Sequence, residues 1–492
     1  VFEYVHNTPE SRVNMESMST TKLGPREVNA VATTGIYCRE GCGGRSLSEN
    51  CSTLSSAVAA EAAGYRPCLS CRPDRRANEL LDQATPAVVR QAVMLISEGA
   101  LDNSNEAKLG RTIGMSPRQL RRLFREHVGA SPAIVARSRR AHFARRLLDE
   151  SDLPMGQVAD ASGFNSARLM NRAVGEVFHF TPRELRSKRR VSDRLIADGG
   201  LHLRLPHFPG FDFDRALGYL TDRAIPGVES VTEEGVYRRV TDSCGYPGVF
   251  EVSATADKTQ LEVVAHLPTF HNLVDDVARC RRMLGLDTDL AGGKALLTED
   301  SILGAVVSEL PGITIPGAWD RFETAVRIIL GQQVTVAAAS TISGRVAERF
   351  GTPVAGLEPF ALGHMFPSPD QLAQADLSDL GVPVSRGTTL TAFAAAVADG
   401  SLDLYLGNDL SDLLERLQAL PGIGPWTAHM VAMRVYGHLD AFPAGDLGLR
   451  KAAARALGQP DISAQELEAV AERWRPWRSL AAVYLWQSPS QR

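Results

Sequence analysis

The sequence predicts a multidomain α+β protein: a small cysteine-rich unit, an all-α basic unit, an antiparallel α+β unit and a second all-α unit, in that order. Three observations carry this. Five of the seven cysteines, Cys38, Cys42, Cys51, Cys68 and Cys71, crowd into 34 residues. Residues 111–190 hold sixteen Arg and one Lys against seven acids, a local balance of +10 in a chain of net charge -4, so the remainder carries -14. Apolar residues recur with helical period from about residue 85 to 190, alternate as in strands from about 200 to 268, and are helical again to the end. A chain of 492 residues, 44% apolar and 22% charged, has room for about three or four such units.

Residues 1–26 are polar, without sustained period, and are expected to form a mobile tail. They lack the apolar centre of a secretory signal, and no uninterrupted apolar run approaches the roughly 18 residues that cross a bilayer. A cytoplasmic protein with no membrane partner is expected.

Residues 27–76 have too few apolar residues for a core without a staple. Their cysteines are spaced C-x3-C, 25 intervening residues, then C-x2-C. Two close thiol pairs joined by a loop fit one tetrahedral Zn2+ held by Cys38, Cys42, Cys68 and Cys71, with a redox pair at Cys68 and Cys71 as the competing reading. Cys51 stands outside the pattern and reads as a small buried side chain. The surrounding residues, TTGIYC, the following CxxR and GYRPCLSCRPD, resemble the N-terminal domain of the Ada-type adaptive response proteins. That resemblance implies that Cys38 accepts a methyl group from a DNA methylphosphotriester, with Thr34, Arg39, Arg45 and Arg66 as neighbours or phosphate contacts. Arg39-Glu40-Gly41 stands where the family has Arg-Pro-Ser, which sets an acid where phosphate would approach.

Residues 84–190 are expected to be helical, broken by turn signals at 114–117, 129–132 and 163–166. SDLPMGQVADASGFNS (151–166) reads as a helix, a small-residue turn and the start of a second helix, whose Arg168 and Arg172 suit recognition in the major groove. SPRQLRRLFREHVGASP (116–132) repeats the idea with Arg118 and Arg121. Its leading helix, NEAKLGRTIG, is the weaker one, with Gly110 where apolar packing is expected. Together the two copies resemble the paired helix-turn-helix domain of AraC-type regulators. The implied partner is double-stranded DNA, alkylated or at promoter sites, and RNA polymerase if the protein is an activator.

Residues 200–285 read as an antiparallel sheet with helices, and 286–492 as an all-α unit. Within the latter, ALPGIGPWTAHMVAMR (419–434) ends one helix, turns through glycines and begins another. Gly422 and Gly424 would let backbone amides approach a DNA phosphate. Some 20 residues on, DAFPAGDLGLRKAAARALG places Asp446 at a helix start, where Asp is a good cap. Hairpin, Pro-containing loop and Asp, followed by RWRPWRSLAAVYLW, resemble the helix-hairpin-helix 3-methyladenine DNA glycosylase II (AlkA) family over about residues 200–488.

The resemblance implies that Asp446 stabilises positive charge on the sugar, or activates water, as the N-glycosidic bond of an alkylated base breaks. Trp426 and Trp486 would wall the flipped base, with Met430 in place of an aromatic. Gln332 or Gln333 of GQQVT would enter the emptied base stack, where the family's wedge is Leu. Trp426 stands where bifunctional relatives carry a Schiff-base Lys, so simple hydrolysis without a cofactor is implied. As a whole the order resembles Ada-AlkA fusions, which act in alkylation repair and the adaptive response. The rival readings are a transcriptional regulator whose glycosylase half only binds damaged DNA, and a repair enzyme whose helix-turn-helix is only a clamp.

Overall fold

A computed structural model describes residues 27–39, 42, 50–69, 71–73, 85–102, 104–188, 200–243, 245–405 and 409–488. The expectations for residues 1–26, for Glu40-Gly41 and for Arg45 lie outside them. The first module is a four-stranded sheet, β1 (Val28–Val31), β2 (Ile36–Cys38), β3 (Cys51–Leu54) and β4 (Arg66–Pro67), in the order β3-β1-β2-β4, with one helix, α1 (Ala57–Ala62). Among the described residues its core is Val28, Ala30, Tyr37 and Ala60 with three partly buried neighbours. So small a core needs a staple. β2 and β4 run parallel with Tyr37 opposite Pro67, so Cys38 and Cys68 leave adjacent strands side by side. Cys51 is half-buried rather than buried, because it sits on the edge strand.

The second module has seven helices: α2 (Ala87–Ser97), α3 (Glu106–Thr112), α4 (Pro117–His127), α5 (Pro132–Glu150), α6 (Met155–Ala161), α7 (Ala167–Phe178) and α8 (Pro182–Ser187). Local chemistry sets the boundaries. Ser116 and Gln119 form a reciprocal capping box with Pro117 at the first turn of α4, and Ser166 caps α7 through Leu169 N. Gly110, read from sequence as a weakness of α3, is required instead. A Cβ there would lie 2.5 Å from Met115 O, so glycine lets the helix close under its own turn.

α5 is the spine of the molecule. The zinc-type module lies along it through Ser138 Oγ donating to Glu61 (2.5 Å), His142 Nε2 on Glu61 (2.6 Å) and Arg72 on Asp149 (2.9 Å), and Ser56 Oγ donates to Val128 O at the end of α4 (3.2 Å). The second helix-turn-helix shares one apolar cluster with the sheet module that follows. The first is clamped to the C-terminal half by Glu98, the C-cap of α2, which binds Arg282 and Arg321. Burial raises the Glu98 carboxyl, but Arg321 and Arg282 outweigh it and hold it below its ordinary range.

The third module is antiparallel throughout, β5 (Leu201–Pro206), β6 (Glu229–Val231), β7 (Tyr237–Ser243), β8 (Tyr246–Ala254) and β9 (Gln260–His266), in the order β5-β9-β8-β7-β6. Leu201, Leu203 and Leu205 face Ala265, Val263 and Leu261 across the β5/β9 ladder on the buried side, as the alternation predicts. Helices α9 (Phe213–Thr221) and α10 (Leu273–Met283) flank it. The last module packs α11 (Ala291–Thr298), α12 (Gly304–Glu309), α13 (Arg321–Leu330), α14 (Val336–Phe350), α15 (Pro369–Ala373), α16 (Val384–Ala398), α17 (Leu410–Gln418), α18 (Pro425–Arg434), α19 (Leu447–Ala456), α20 (Ala464–Ala471) and α21 (Arg478–Gln487) around one apolar core. It is not wholly helical: β10 (Thr352–Pro353) and β11 (His364–Met365) pair briefly beyond α14. Among the described residues no helix is long and apolar enough to cross a membrane.

Candidate active site and zinc centre

Asp446 is the N-cap of α19, its Oδ1 accepting from Leu449 N at 3.0 Å. The same oxygen accepts the indole N–H of Trp486 at 3.0 Å, and Oδ2 accepts that of Trp426 at 3.0 Å. Capping and the two tryptophans therefore fix a carboxylate that remains partly open to solvent. Three N–H donors converge on this carboxylate and orient it, which suits a group placed to face a developing cation. The loop ahead of it is tied from α21 by buried Ser479, whose Oγ donates to His438 O and Ala441 O, both at 2.7 Å, and by Arg478 on Asp440 (2.8 Å). Phe442 N donates to His429 Nδ1 at 3.1 Å; burial, with Arg478 nearby, brings that imidazole down to about 4.

The hairpin turn between α17 and α18 needs glycine at its first position. Gly422 has φ +77°, and a Cβ there would lie 1.8 Å from Thr389 Oγ1; Gly424, the exposed N-cap of α18, has no atom within 4 Å of where a Cβ would stand. Met430 lies one turn beyond Trp426, half-buried against the core. The two glutamines separate. Gln332 turns inward, its Nε2 donating to Gly422 O at 3.2 Å and to Thr427 Oγ1 at 2.9 Å, while Gln333 is exposed with φ 55°. Gln332 is thus a latch between the GQQ turn and the hairpin.

The four cysteine sulfurs of Cys38, Cys42, Cys68 and Cys71 lie within 4.8 Å of one another. Burial, then the charges of Cys68 and Cys71, push the Cys38 thiol far above its usual range, and burial raises Cys71 to about 11. Sulfurs this crowded lose their protons together only if a cation offsets their repulsion. Number, donor type and spacing fit one Zn2+. Arg39 is exposed next to Cys38 and Thr34 is exposed in the turn between β1 and β2, whereas the Arg66 guanidinium lies 5.4 Å from the Phe180 ring centre and so is engaged by the helical module. On the helical module Arg118, Arg121, Arg168 and Arg172 are all exposed, Arg121 bonded to Glu106 and Arg172 to Glu176 at 2.9 Å.

Two residues near Asp446 escaped the sequence reading. Tyr219 of α9 and Arg434 at the end of α18 stack toward Trp486, and only an apolar helix ending in Arg hinted at the second. A cavity of about 360 Å³ opens elsewhere, between α2, α5, α10 and residues 433–439; it holds neither Asp446 nor the cysteines and is the gap where modules meet.

Four family models match in chain order: the metal binding domain of Ada at residues 26–74, a helix-turn-helix domain at 109–188, the AlkA N-terminal domain at 202–320, and the HhH-GPD superfamily of base excision DNA repair proteins at 326–477. A probable bifunctional transcriptional activator/DNA repair enzyme AlkA of Mycobacterium tuberculosis is 41% identical over 462 residues, covering 93% of this chain and 92% of that protein. The DNA-3-methyladenine glycosylase 2 of Escherichia coli is 33% identical over 281 residues, 56% of this chain and 94% of that protein. Among solved structures, the 3-methyladenine DNA-glycosylase from Archaeoglobus fulgidus superposes with a TM-score of 0.50 at 21% identity, covering 58% of this chain and 96% of that one, which is a likeness of fold.

Proposed function

The chain belongs to the family of bifunctional transcriptional activator/DNA repair enzymes AlkA, and from that premise we propose how its residues divide the work. The C-terminal half is a 3-methyladenine-type DNA glycosylase in which Asp446 faces the sugar. The bond between C1′ and the base nitrogen breaks with its electron pair leaving on the base. The Asp446 carboxylate stabilises the positive sugar, and a water oxygen then bonds to C1′ and releases its proton. Gly422 and Gly424 grip a phosphate, Gln333 fills the vacated stack, and Trp426, Met430 and Trp486 surround the flipped base.

At the N-terminus Cys38 Sγ attacks the methyl carbon of a phosphotriester; the methyl–oxygen bond breaks and its electron pair stays on the phosphate oxygen. Zinc bound to the four sulfurs would supply the thiolate at neutral pH. Thr34 and Arg39 lie beside the entering phosphate, and Arg118, Arg121, Arg168 and Arg172 address the duplex. The methylated module then acts as a transcriptional activator, with RNA polymerase as its partner.

The observation that carries the reading is the carboxylate of Asp446 held on both oxygens by indole donors at a helix-hairpin-helix. Release of free base from methylated duplex tests it. Asp446→Asn should lose on the order of 10²–10³ in rate while still binding damaged DNA; equal rates would overturn the assignment.

A further inference from the structure

Arg434 is 6% exposed, donates to Pro316 O at 2.9 Å, and lies between two rings, 5.1 Å from the centre of Tyr219 and 5.5 Å from that of Trp486. Arg223 covers Tyr219 as well, at 4.1 Å. Among the described residues no carboxylate pairs with Arg434, whose ionisable neighbours are Tyr219 and Arg223, and its Nε has no hydrogen-bond partner. A buried guanidinium without a counter-ion is costly to fold. Its place beside the ring that holds Asp446 gives it a use.

We infer that Arg434 is an electrostatic positioning residue that pulls electrons toward the departing base, opposite the Asp446 carboxylate on the sugar side. The inference rests on the glycosylase reading above. Arg434 lies over one face of the partly buried Trp486 ring, 5.5 Å from its centre, and in this reading the base stacks on the other. When the C1′–N bond breaks, its electron pair goes to the base nitrogen: a cationic alkylated base becomes neutral, and a neutral base becomes an anion. In either case the base side gains one negative charge and the sugar one positive charge. A fixed cation behind Trp486 and a fixed anion at the sugar both favour that shift. For a cationic base alone, the guanidinium also repels the bound substrate before the bond breaks. Arg434 touches neither reacting atom and acts through the ring.

The full-length chain provides the test, using Arg434→Met, Arg434→Gln, which keeps a donor for Pro316 O, and Arg434→Lys, which keeps the charge. Duplexes carry either cationic 7-methylguanine or neutral hypoxanthine, and thermal melting shows that each variant is folded. Both neutral variants should lower kcat on the order of tenfold on both substrates. KM for 7-methylguanine should fall, KM for hypoxanthine should hold, and Lys should restore most of the rate. Equal losses in the Lys and Gln variants, or a rise of KM on both substrates, would mean that Arg434 only supports the ring and would overturn the inference. Release of neither base by the unaltered chain would overturn the glycosylase reading and this one with it. Normal release by the unaltered chain with kcat unchanged in Arg434→Gln would sink this one alone.

Discussion

Trp486 donates its indole N–H to Asp446 Oδ1 at 3.0 Å from the last helix of the chain, forty residues away. Trp426 meets the other oxygen from the hairpin helix, so the carboxylate cannot rotate without losing a charged hydrogen bond. Trp486→Phe keeps the ring and removes the donor. Base release should fall roughly ten- to a hundredfold with little change in KM, since a hydrogen bond to a charged group is worth about 1.5–3 kcal/mol. An unchanged single-turnover rate would show that the bond does not matter.

Gln332 and Gln333 should fail differently. Gln333→Ala removes an exposed side chain from a turn and should weaken base flipping, read as 2-aminopurine fluorescence, while leaving melting unchanged. Gln332→Ala breaks the bonds to Gly422 O and Thr427 Oγ1 and should lower both flipping and melting temperature. The double variant should flip no worse than Gln332→Ala alone; fully additive losses would separate latch from wedge.

The four-cysteine module should depend on its metal for folding, because its buried core among the described residues is three small or medium side chains packed with Tyr37. Cys42→Ser or chelation should unfold the module, and Cys38→Ser should in addition abolish methyl uptake from methylphosphotriester DNA. Mass spectrometry that finds the methyl on Cys42 or Cys68, or on no cysteine, would refute the role of Cys38.

His429 makes the glycosylase module acid-sensitive. Its folded value of about 4 lies below the ordinary 6.5, because burial, then Arg478, disfavours the charged ring. Between these values the unfolded chain binds more protons, so the stability is complete above about pH 6.5 and is lost as pH falls toward 4. The contribution is about 3 kcal/mol at most. His429→Gln, which still offers an acceptor to Phe442 N, should flatten the melting temperature across that window; the same slope in variant and parent would exclude His429 as the cause.

Glu61 gathers Tyr37 Oη at 2.8 Å, Ser138 Oγ at 2.5 Å and His142 Nε2 at 2.6 Å, which joins the strand carrying Cys38 to the spine helix α5. Glu61→Ala leaves those groups in an apolar junction and should cost about 3 kcal/mol. Faster hydrogen exchange in β2 and in the middle of α5 would be the signature; unaltered exchange would show that the modules dock without it.

Much of this was legible locally. The C-x3-C and C-x2-C pairs are short-range, and a metal's tetrahedral demand turns spacing into a prediction that the clustered sulfurs meet. The strand alternation of LHLRLP and QLEVVAH reappears as the β5/β9 ladder because one face is buried. Gly110 was misread because its reason, the approach of Met115 O, lies in a turn that periodicity does not describe. The two adjacent glutamines have the same chemistry, and only the left-handed backbone at Gln333 sends their side chains opposite ways.

By itself the sequence determined the order of the modules, the metal ligands and the capping aspartate, since each is written in residues a few positions apart. Trp426 and Trp486 were legible through the family resemblance, but tertiary structure alone decided that both donate to that aspartate and that Tyr219 and Arg434 stand behind them. Tyr219, Arg434 and Trp486 come from three helices of two modules, and it is close packing of the sheet module against the last helices that stacks ring on guanidinium on ring beside Asp446.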